Sequence, residues 1–337
     1  MKERENYSEY LKEKFPVKPR FFARMEALIG KADAEKFFEI SYTQTPNSIR
    51  CNTLKISVSE LLERLRDYDW DVRQPFSEFP EIMIIDSKIN PGELGKTKEH
   101  LLGYYYVQEI SSMLPMMVLK PEPDEIILDL CASPGSKTTQ AAAMMENSGT
   151  IIANEVSMGR IGILNSNLER CGVMNTIVSR KDGVAFCNIF LKKSKLRFDK
   201  ILVDAPCSGE GTLRKSPKTF LMWNENMIKK IAGTQRRLAS SAIKLLKVGG
   251  TMIYSTCTLA PEENEAIVDY LVKNFDVSVE AVNLPLKFRS GVCSFEGLEF
   301  DKSVEKCLRL YPQDNDTDGF FVARLKKNSD KVLGGKR

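Results

Sequence analysis

Beyond about residue 120 the chain alternates short apolar runs with helical stretches, and no other feature restricts its fold as much. The runs are 125–130, 150–154, 176–179, 200–204 and 251–255, and helical periodicity fills 137–145, 160–170 and 226–246 between them. A strand followed by a helix returns by a crossover, so successive strands pair in parallel and carry helices on both faces of the sheet. Two further runs, 307–310 and 319–325, are joined by Asp- and Asn-rich turn residues. They are expected as an antiparallel pair at one sheet edge. The expected class is α/β, with a seven-stranded, mostly parallel sheet.

A length of 337 residues suggests about two domains. Residues 1–35 read as a helical segment, with Tyr7, Tyr10, Leu11, Phe21, Phe22, Met25 and Leu28 at helical spacing and Pro16 and Pro19 dividing it. Residues 36–100 read as a small α+β domain. In it, strand-like 48–55 and 81–86 flank a helix that opens at Ser57, where Glu60 completes a capping box. Residues 90–95 are turn-rich and read as a linker. Residues 101–327 carry the sheet, and 328–337 read as a basic flexible tail. No apolar run approaches the ~20 residues of a membrane helix. The charged first five residues lack a secretion-signal core. The chain is therefore expected in the cytoplasm, away from membranes, as a monomer.

In open parallel sheets, ligands sit at the carboxyl ends of the strands. The first strand of the sheet runs into Cys131-Ala132-Ser133-Pro134-Gly135-Ser136-Lys137, at a helix start where backbone N–H groups can approach a ligand. With Gly135 alone, this loop lacks the G-x-G-x-x-G spacing of a nicotinamide dinucleotide site. The second strand ends at Glu155, twenty residues after Gly135, where an acid can accept from ribose hydroxyls. The third is followed by Asp182, and the fourth ends at Asp204. Singly, each acid reads as a cap or a surface residue. Together, at one end of one sheet, they suit a nucleoside-bearing, positively charged ligand such as S-adenosylmethionine.

The eight cysteines contain no C-x-x-C pair, and His100 is the single histidine, which argues against a metal or a His-based triad. Cys207 follows the fourth strand and Cys257 the fifth, and these strands are neighbours in the usual order of such sheets. Both thiols should face one pocket. A thiolate adding to C6 of a pyrimidine makes C5 nucleophilic enough to take a methyl group, and removal of the C5 proton then expels the thiol. A thiol near pKa 8.5 needs activation for this. A helix start near Pro261 would favour the thiolate, while Glu262 and Glu263 would oppose it, and the sequence leaves that balance open. Residues 213–247 hold nine basic residues and one acid, a net +8 in a chain of +4. Such a stripe is either the footprint of a polyanion or a solvated helix face.

The motifs Cys131-Ala-Ser-Pro-Gly-Ser-Lys-Thr, Ala153-Asn-Glu, Asp204-Ala-Pro-Cys-Ser-Gly-Glu-Gly-Thr and Tyr254-Ser-Thr-Cys-Thr-Leu-Ala-Pro-Glu-Glu-Asn-Glu resemble those of the Sun/Nop-type (NSUN) RNA cytosine-5 methyltransferases. Arg50-Cys-Asn-Thr-Leu-Lys, Tyr106-Val-Gln-Glu-Ile-Ser-Ser and Asp318-Gly-Phe-Phe-Val-Ala match the flanking motifs, so the resemblance covers about residues 45–326. It implies a class I S-adenosylmethionine-dependent methyltransferase fold, Rossmann-like, preceded by a small RNA-recognition-like domain. It also implies Cys257 as nucleophile, Cys207 in product release, and residues 131–137, Glu155, Asp182 and Asp204 around the cofactor. Asp204 and Lys137 are expected at the target cytosine. Ser133, Ser136 and Gln313 stand where the family usually has Ala, Gly and His. The compact plan is most like archaeal transfer-RNA members, which favours tRNA over rRNA as substrate. The basic stripe then reads as a phosphate track, with Arg160, Arg214, Lys215 and Lys218 as candidate RNA contacts and Trp223 as a base-stacking candidate. Two other readings stay separable. A DNA cytosine-5 methyltransferase would use Cys207 as nucleophile, and a non-catalytic RNA-binding assembly factor would not bind the cofactor.

Overall fold

The apolar runs form strands in the computed structural model, which describes residues 2–90 and 92–333. The chain divides into two compact units. A middle unit comprises Pro46–Asp204 with Ser241–Ile253, and a terminal unit comprises Met1–Thr45, Ala205–Ser240 and Tyr254–Arg337.

The middle unit opens with an antiparallel sheet of β1 (Asn47–Cys51), β2 (Val72–Arg73), β3 (Ile82–Ile85) and β4 (Tyr105–Val107), in the order β2-β3-β1-β4. The helix Val58–Arg66 starts at the expected capping box of Ser57 and Glu60. It buries Leu61 and Leu65 in a core with Ile49, Cys51, Met83, Ile85 and Tyr105. Each fully buried leucine contributes about 2 kcal/mol. The expected boundary at residue 100 moves outward, because β4 pairs with β1 and sets Arg50 opposite Tyr106. Three residues are too few to show a period in the sequence.

The same unit holds β5 (Ile126–Asp129), β6 (Thr150–Glu155), β7 (Thr176–Arg180), β8 (Phe198–Asp204) and most of β9 (Leu246–Thr256), in the order β9-β8-β5-β6-β7. β5 pairs in parallel with both β6 and β8, and β6 with β7. The strand order reverses at β5, so the ends of β5, β6 and β8 flank the switch point where such sheets take ligands. Each of those three strands ends on an acid: Asp129, Glu155 or Asp204.

The terminal unit begins with the helices Lys2–Lys14, Pro19–Ile29 and Lys31–Ile40, so the helical segment runs past the expected residue 35. Phe21, Phe37, Phe38, Tyr42, Phe220 and Trp223 share one core there. This aromatic cluster explains why the N-terminal helices group with residues 205–240 rather than with the adjacent small sheet. The last residues of β9 enter this unit. Five further strands follow: β10 (Phe275–Glu280), β11 (Arg289–Ser290), the β12 (Ser294–Phe295) and β13 (Leu298–Glu299) hairpin, and β14 (Leu308–Leu310). A long final strand, β15 (Phe320–Val332), pairs antiparallel with β14, as expected for the edge pair, and also with β10. The order is β9-β15-β14-β11, so β10 and β11 add to the seven expected strands. The expected flexible tail is a correction: residues 328–332 belong to β15, with Val332 opposite Phe275. Polar residues along this strand conceal pairing that the backbone makes. Residues 334–337 of that tail lie outside the described residues.

Candidate active site

At the end of β5 the chain turns through a loop whose shape depends on one glycine. Gly135 caps the helix Ser136–Met144 at φ 102°, in the left-handed region, and a Cβ there would lie 2.9 Å from Leu164 Cδ1. Arg160 donates to Ser133 O at 2.5 Å, and the Ser133 hydroxyl donates to Arg160 O at 2.9 Å. The serine at 133 thus has a use of its own. From the other side, Arg50 donates to Ser136 O and Thr139 Oγ1, both at 2.9 Å, and to the Gln108 side chain. Arg50 was visible in the sequence only as part of a flanking motif. Its role in holding this loop emerges from the fold.

The acids around the loop differ in their partners. Glu155 is 2% exposed and accepts the Ser157 N–H at 2.9 Å, with Arg160 Nη1 at 3.4 Å. Asp204 lies 2.8 Å from Lys137 Nζ, which also donates to Ser112 Oγ at 3.1 Å. Asp182 is exposed and caps the helix Gly183–Lys193 through the Ala185 N–H at 3.0 Å. Asp129 accepts from Thr138 Oγ1 at 2.8 Å, while its Oδ1 is buried with no partner. Burial pushes its carboxyl up to about 7, against the Thr138 hydrogen bond. Asn154 Oδ1 is likewise buried and unpartnered. Burial and the nearby Asp129, Asp204 and Glu155 push the Cys131 thiol up, which disfavours its thiolate. Free buried acceptors beside a glycine-dependent loop fit a ligand that brings hydroxyl and ammonium donors.

In the terminal unit the two expected cysteines meet. Cys207 Sγ and Cys257 Sγ are 2.9 Å apart, and both are free thiols, partly exposed. The hydrogen bond to Cys257, burial and the Glu263 carboxyl push the Cys207 thiol well above its ordinary range. Either sulfur can donate in this contact, so one proton lies between two sulfur atoms. The two loops meet closely because Gly211 donates to Cys257 O at 2.9 Å and accepts from Gly319 N at 2.8 Å. A Cβ on Gly211 would lie 2.1 Å from Gly319 O. The expected helix start at Pro261 is a correction. Residues 261–264 form turns and the helix is Glu265–Asn274, so its N-terminus is eight residues from Cys257. Side chains fix the Cys257 loop instead. Arg309 donates twice to Leu259 O, at 3.1 and 3.0 Å, while paired with Glu265.

Two of the candidate RNA contacts are corrected by packing. Trp223 is 3% exposed, stacks on Phe21 at 4.7 Å between centroids, and donates to Glu210 at 2.7 Å, so its ring has no free face for a base. Arg214 is buried and holds Thr317 O, Thr43 Oγ1, Gln44 O and Asp316. Lys215 and Lys218 are exposed, with Lys215 3.0 Å from Asp318. Lys229, Lys230, Arg236 and Arg237 are exposed along the helix Glu225–Ala242. Arg160 is half-exposed and engaged with Ser133 and Glu155. Among the described residues, no three His, Cys, Asp or Glu side chains gather to hold a metal ion, and no helix is long and apolar enough to cross a membrane.

The model of the 16S rRNA methyltransferase RsmB/F family matches residues 116–326, and that of the N-terminal domain of 16S rRNA methyltransferase RsmF matches residues 17–110. The chain belongs to the RsmB/F family of RNA cytosine-5 methyltransferases. It is 41% identical over 295 residues to the tRNA (cytosine(49)-C(5))-methyltransferase of Pyrococcus abyssi, covering 88% of this chain and 92% of that relative. It is 42% identical over 283 residues to the ribosomal RNA small subunit methyltransferase F of Vibrio cholerae, covering 83% of this chain and 57% of that one. The chain thus spans little more than half the length of that RsmF relative. Among solved structures, a methyltransferase homologue of Pyrococcus horikoshii superposes with TM-score 0.82 at 33% identity, covering 94% of this chain and 97% of that one. NSun6 of the same organism, solved with SFG, superposes with TM-score 0.77 at 26% identity, covering 96% and 98%. The fold is that of the class I methyltransferases, and S-adenosylmethionine is the cofactor of this RsmB/F chain.

Proposed function

We propose that the chain methylates C5 of cytosine in tRNA through a covalent bond between Cys257 and C6 of the base. The observation that carries this reading is the pair of sulfurs 2.9 Å apart. S-adenosylmethionine, when bound, supplies an electrophilic methyl group. Residues 131–137 with Glu155, Asp182 and Asp204 would hold it. Glu155 would accept from ribose hydroxyls, and the free Asp129 Oδ1 would accept from a ligand donor.

The Cys257 thiolate adds to C6, and the electron pair displaced onto the base ring is neutralised by the proton of Cys207. C5 is now nucleophilic and becomes the methylated atom. The Cys207 thiolate then takes the C5 proton. The C6–S bond breaks, its electron pair returns to Cys257, and the C5–C6 double bond reforms. The proton that the ring took up leaves to water. Asp204, oriented by Lys137, would accept from the exocyclic amine of cytosine, which uracil lacks. Only two residues separate Asp204 from Cys207, and the three Cα–Cα steps between them limit their Cα atoms to about 11 Å.

The test is covalent trapping. Cys207→Ala should accumulate a protein–RNA adduct that survives denaturation, and Cys257→Ala should form none. Activity retained in Cys257→Ala, with addition abolished in Cys207→Ala, would reverse the roles and overturn this reading. The tRNA assignment is supported by the 92% coverage of the P. abyssi relative against 57% of RsmF. Methyl transfer to tRNA transcripts should exceed transfer to small-subunit rRNA. The exposed Lys218, Lys229, Lys230, Arg236 and Arg237 are the proposed phosphate contacts. The same reading has the enzyme act as a cytoplasmic monomer, where its free thiols stay reduced. Sizing chromatography at working concentration checks the oligomeric state.

A further inference from the structure

Cys207 and Cys257 both sit on irregular loops, so no strand or helix ladder fixes either thiol. The residues on both sides of each cysteine are held instead by buried side chains. Gln235 Nε2 donates to Pro206 O at 2.9 Å and to Glu263 Oε2 at 2.8 Å. The same Oε2 accepts the Ser208 N–H at 3.0 Å. Residues 206 and 208 are thus tied to one Gln–Glu pair, with Cys207 between them. Asn264 does the same for the other thiol. Its Oδ1 accepts from the Thr256 hydroxyl at 2.6 Å, and its Nδ2 donates to Thr258 O at 3.0 Å. Ser208 Oγ and Thr258 Oγ1 share a hydrogen bond of 2.8 Å that links the two loops.

Glu263 and Asn264 are consecutive, and Gln235, Glu263 and Asn264 are all fully buried. One planar peptide therefore joins the two brackets and fixes their separation near 3.8 Å between Cα atoms. We propose that Gln235, Glu263 and Asn264 are positioning residues that register the two thiols against a single base, Glu263 with Gln235 holding Cys207 and Asn264 holding Cys257. This deepens, and rests on, the two-thiol reading above. Loss of the Glu263 bracket displaces Cys207 and impairs release. Loss of the Asn264 bracket displaces Cys257 and impairs addition.

The experiment has two arms on the full-length protein. The first needs neither RNA nor cofactor. Diamide takes one hydrogen from each thiol, and the Cys207–Cys257 disulfide is followed by mass spectrometry. Two thiols held in register react at a high effective concentration, so Glu263→Ala and Asn264→Ala should each slow disulfide formation by about 10-fold or more. Glu263→Gln keeps an oxygen that accepts from both Ser208 and Gln235, and it should restore the wild-type rate. The second arm follows the RNA adduct. Glu263→Ala should accumulate it, with its formation rate within about 3-fold of wild type, whereas Asn264→Ala should slow formation by about 10-fold or more. If an alanine variant fails to fold by circular dichroism, Gln235→Leu and Asn264→Asp test the same brackets. Gln235→Leu breaks the first bracket, and Asn264→Asp keeps the Thr256 contact while losing the one to Thr258. Unchanged disulfide rates in folded variants, or equal losses of formation and release, overturn the proposal. A Cys207→Ala variant that forms no adduct overturns the two-thiol reading alone, because the diamide rates still decide the register.

Discussion

Each unit ties a reactive loop to a fully buried arginine, and the two arginines are satisfied in opposite ways. Arg50 of the middle unit is 2% exposed and donates only to neutral acceptors: the Gln108 side chain, Ser136 O and Thr139 Oγ1. With no carboxylate bonded to it, burial lowers its pKa to about 10. Arg309 of the terminal unit is 1% exposed, but it bonds both oxygens of Glu265, at 2.6 and 2.8 Å, and Tyr311 Oη at 2.8 Å. Burial would lower its pKa too, yet Glu265 and Tyr311 raise it above the ordinary value. The Gly135 loop is thus held by dipoles and the Cys257 loop by an ion pair. Dipolar support weakens by degrees when one acceptor is lost. A buried ion pair fails abruptly, because the surviving charge stays desolvated.

The largest effect expected from this contrast is that of Glu265→Ala. It leaves the Arg309 guanidinium buried without a carboxylate and should cost about 3–5 kcal/mol in urea unfolding. The double variant Glu265→Met with Arg309→Met removes both charges and should recover most of that loss. A cost below about 1 kcal/mol for Glu265→Ala would remove the distinction between the two arginines. Arg50→Met should cost less, about 1–3 kcal/mol, since it strips donors from three buried acceptors but also removes a desolvated charge. Its signature is weaker S-adenosylmethionine binding by calorimetry, through Ser136 O, with diamide oxidation of the Cys207–Cys257 pair unaltered.

The same contrast explains what could be read from the sequence. The parallel strands were legible because buried strands read as continuous apolar runs, and β5, β6 and β8 each end on an acid that marks the carboxyl end. The two cysteines were legible because both follow such runs. Arg50 and Arg309 were not, since an arginine in a sequence carries no sign of burial or of the carbonyl it serves. The basic stripe shows the same blindness: Arg214 and Trp223 share their segment with exposed Lys218, but tertiary packing turns them inward. The brackets around the cysteines were hidden because Gln235 lies 28 residues from Glu263. The long β15 was missed beyond residue 325 because its last residues are polar and pair with β10 through backbone and polar side chains rather than through an apolar run.

A smaller effect tests the dipolar side alone. Gly135→Ala forces a side chain into φ 102° and sets its Cβ 2.9 Å from Leu164 Cδ1. The expected cost is about 1–2 kcal/mol, with weaker cofactor binding. Differential scanning calorimetry with and without S-adenosylmethionine separates the two contributions. A variant of unchanged stability and affinity would mean that the loop does not depend on the left-handed turn.

The smallest effect is one of pH, and it compares the two sides directly. Asp129 beside the cofactor loop and Glu263 beside Cys207 are both pushed up to about 7, in each case chiefly by burial. Thr138 opposes the shift at Asp129, and Ser208 and Gln235 oppose it at Glu263, where Glu210 adds to it. Because each folded pKa lies above its unfolded value, the folded state holds a proton that the unfolded chain has released. That stability is complete below about pH 4, falls as pH rises, and is gone once pH passes 7. Between pH 6 and pH 8 each group should therefore remove about 1 kcal/mol of stability. Asp129→Asn and Glu263→Gln should each flatten the decline by that amount, measured as urea midpoints at the two pH values. Flattening by Glu263→Gln alone would mean that Asp129 is already ionised in the folded protein. Its Oδ1 would then be a charged acceptor for the ligand, and the cofactor side would carry an electrostatic anchor after all.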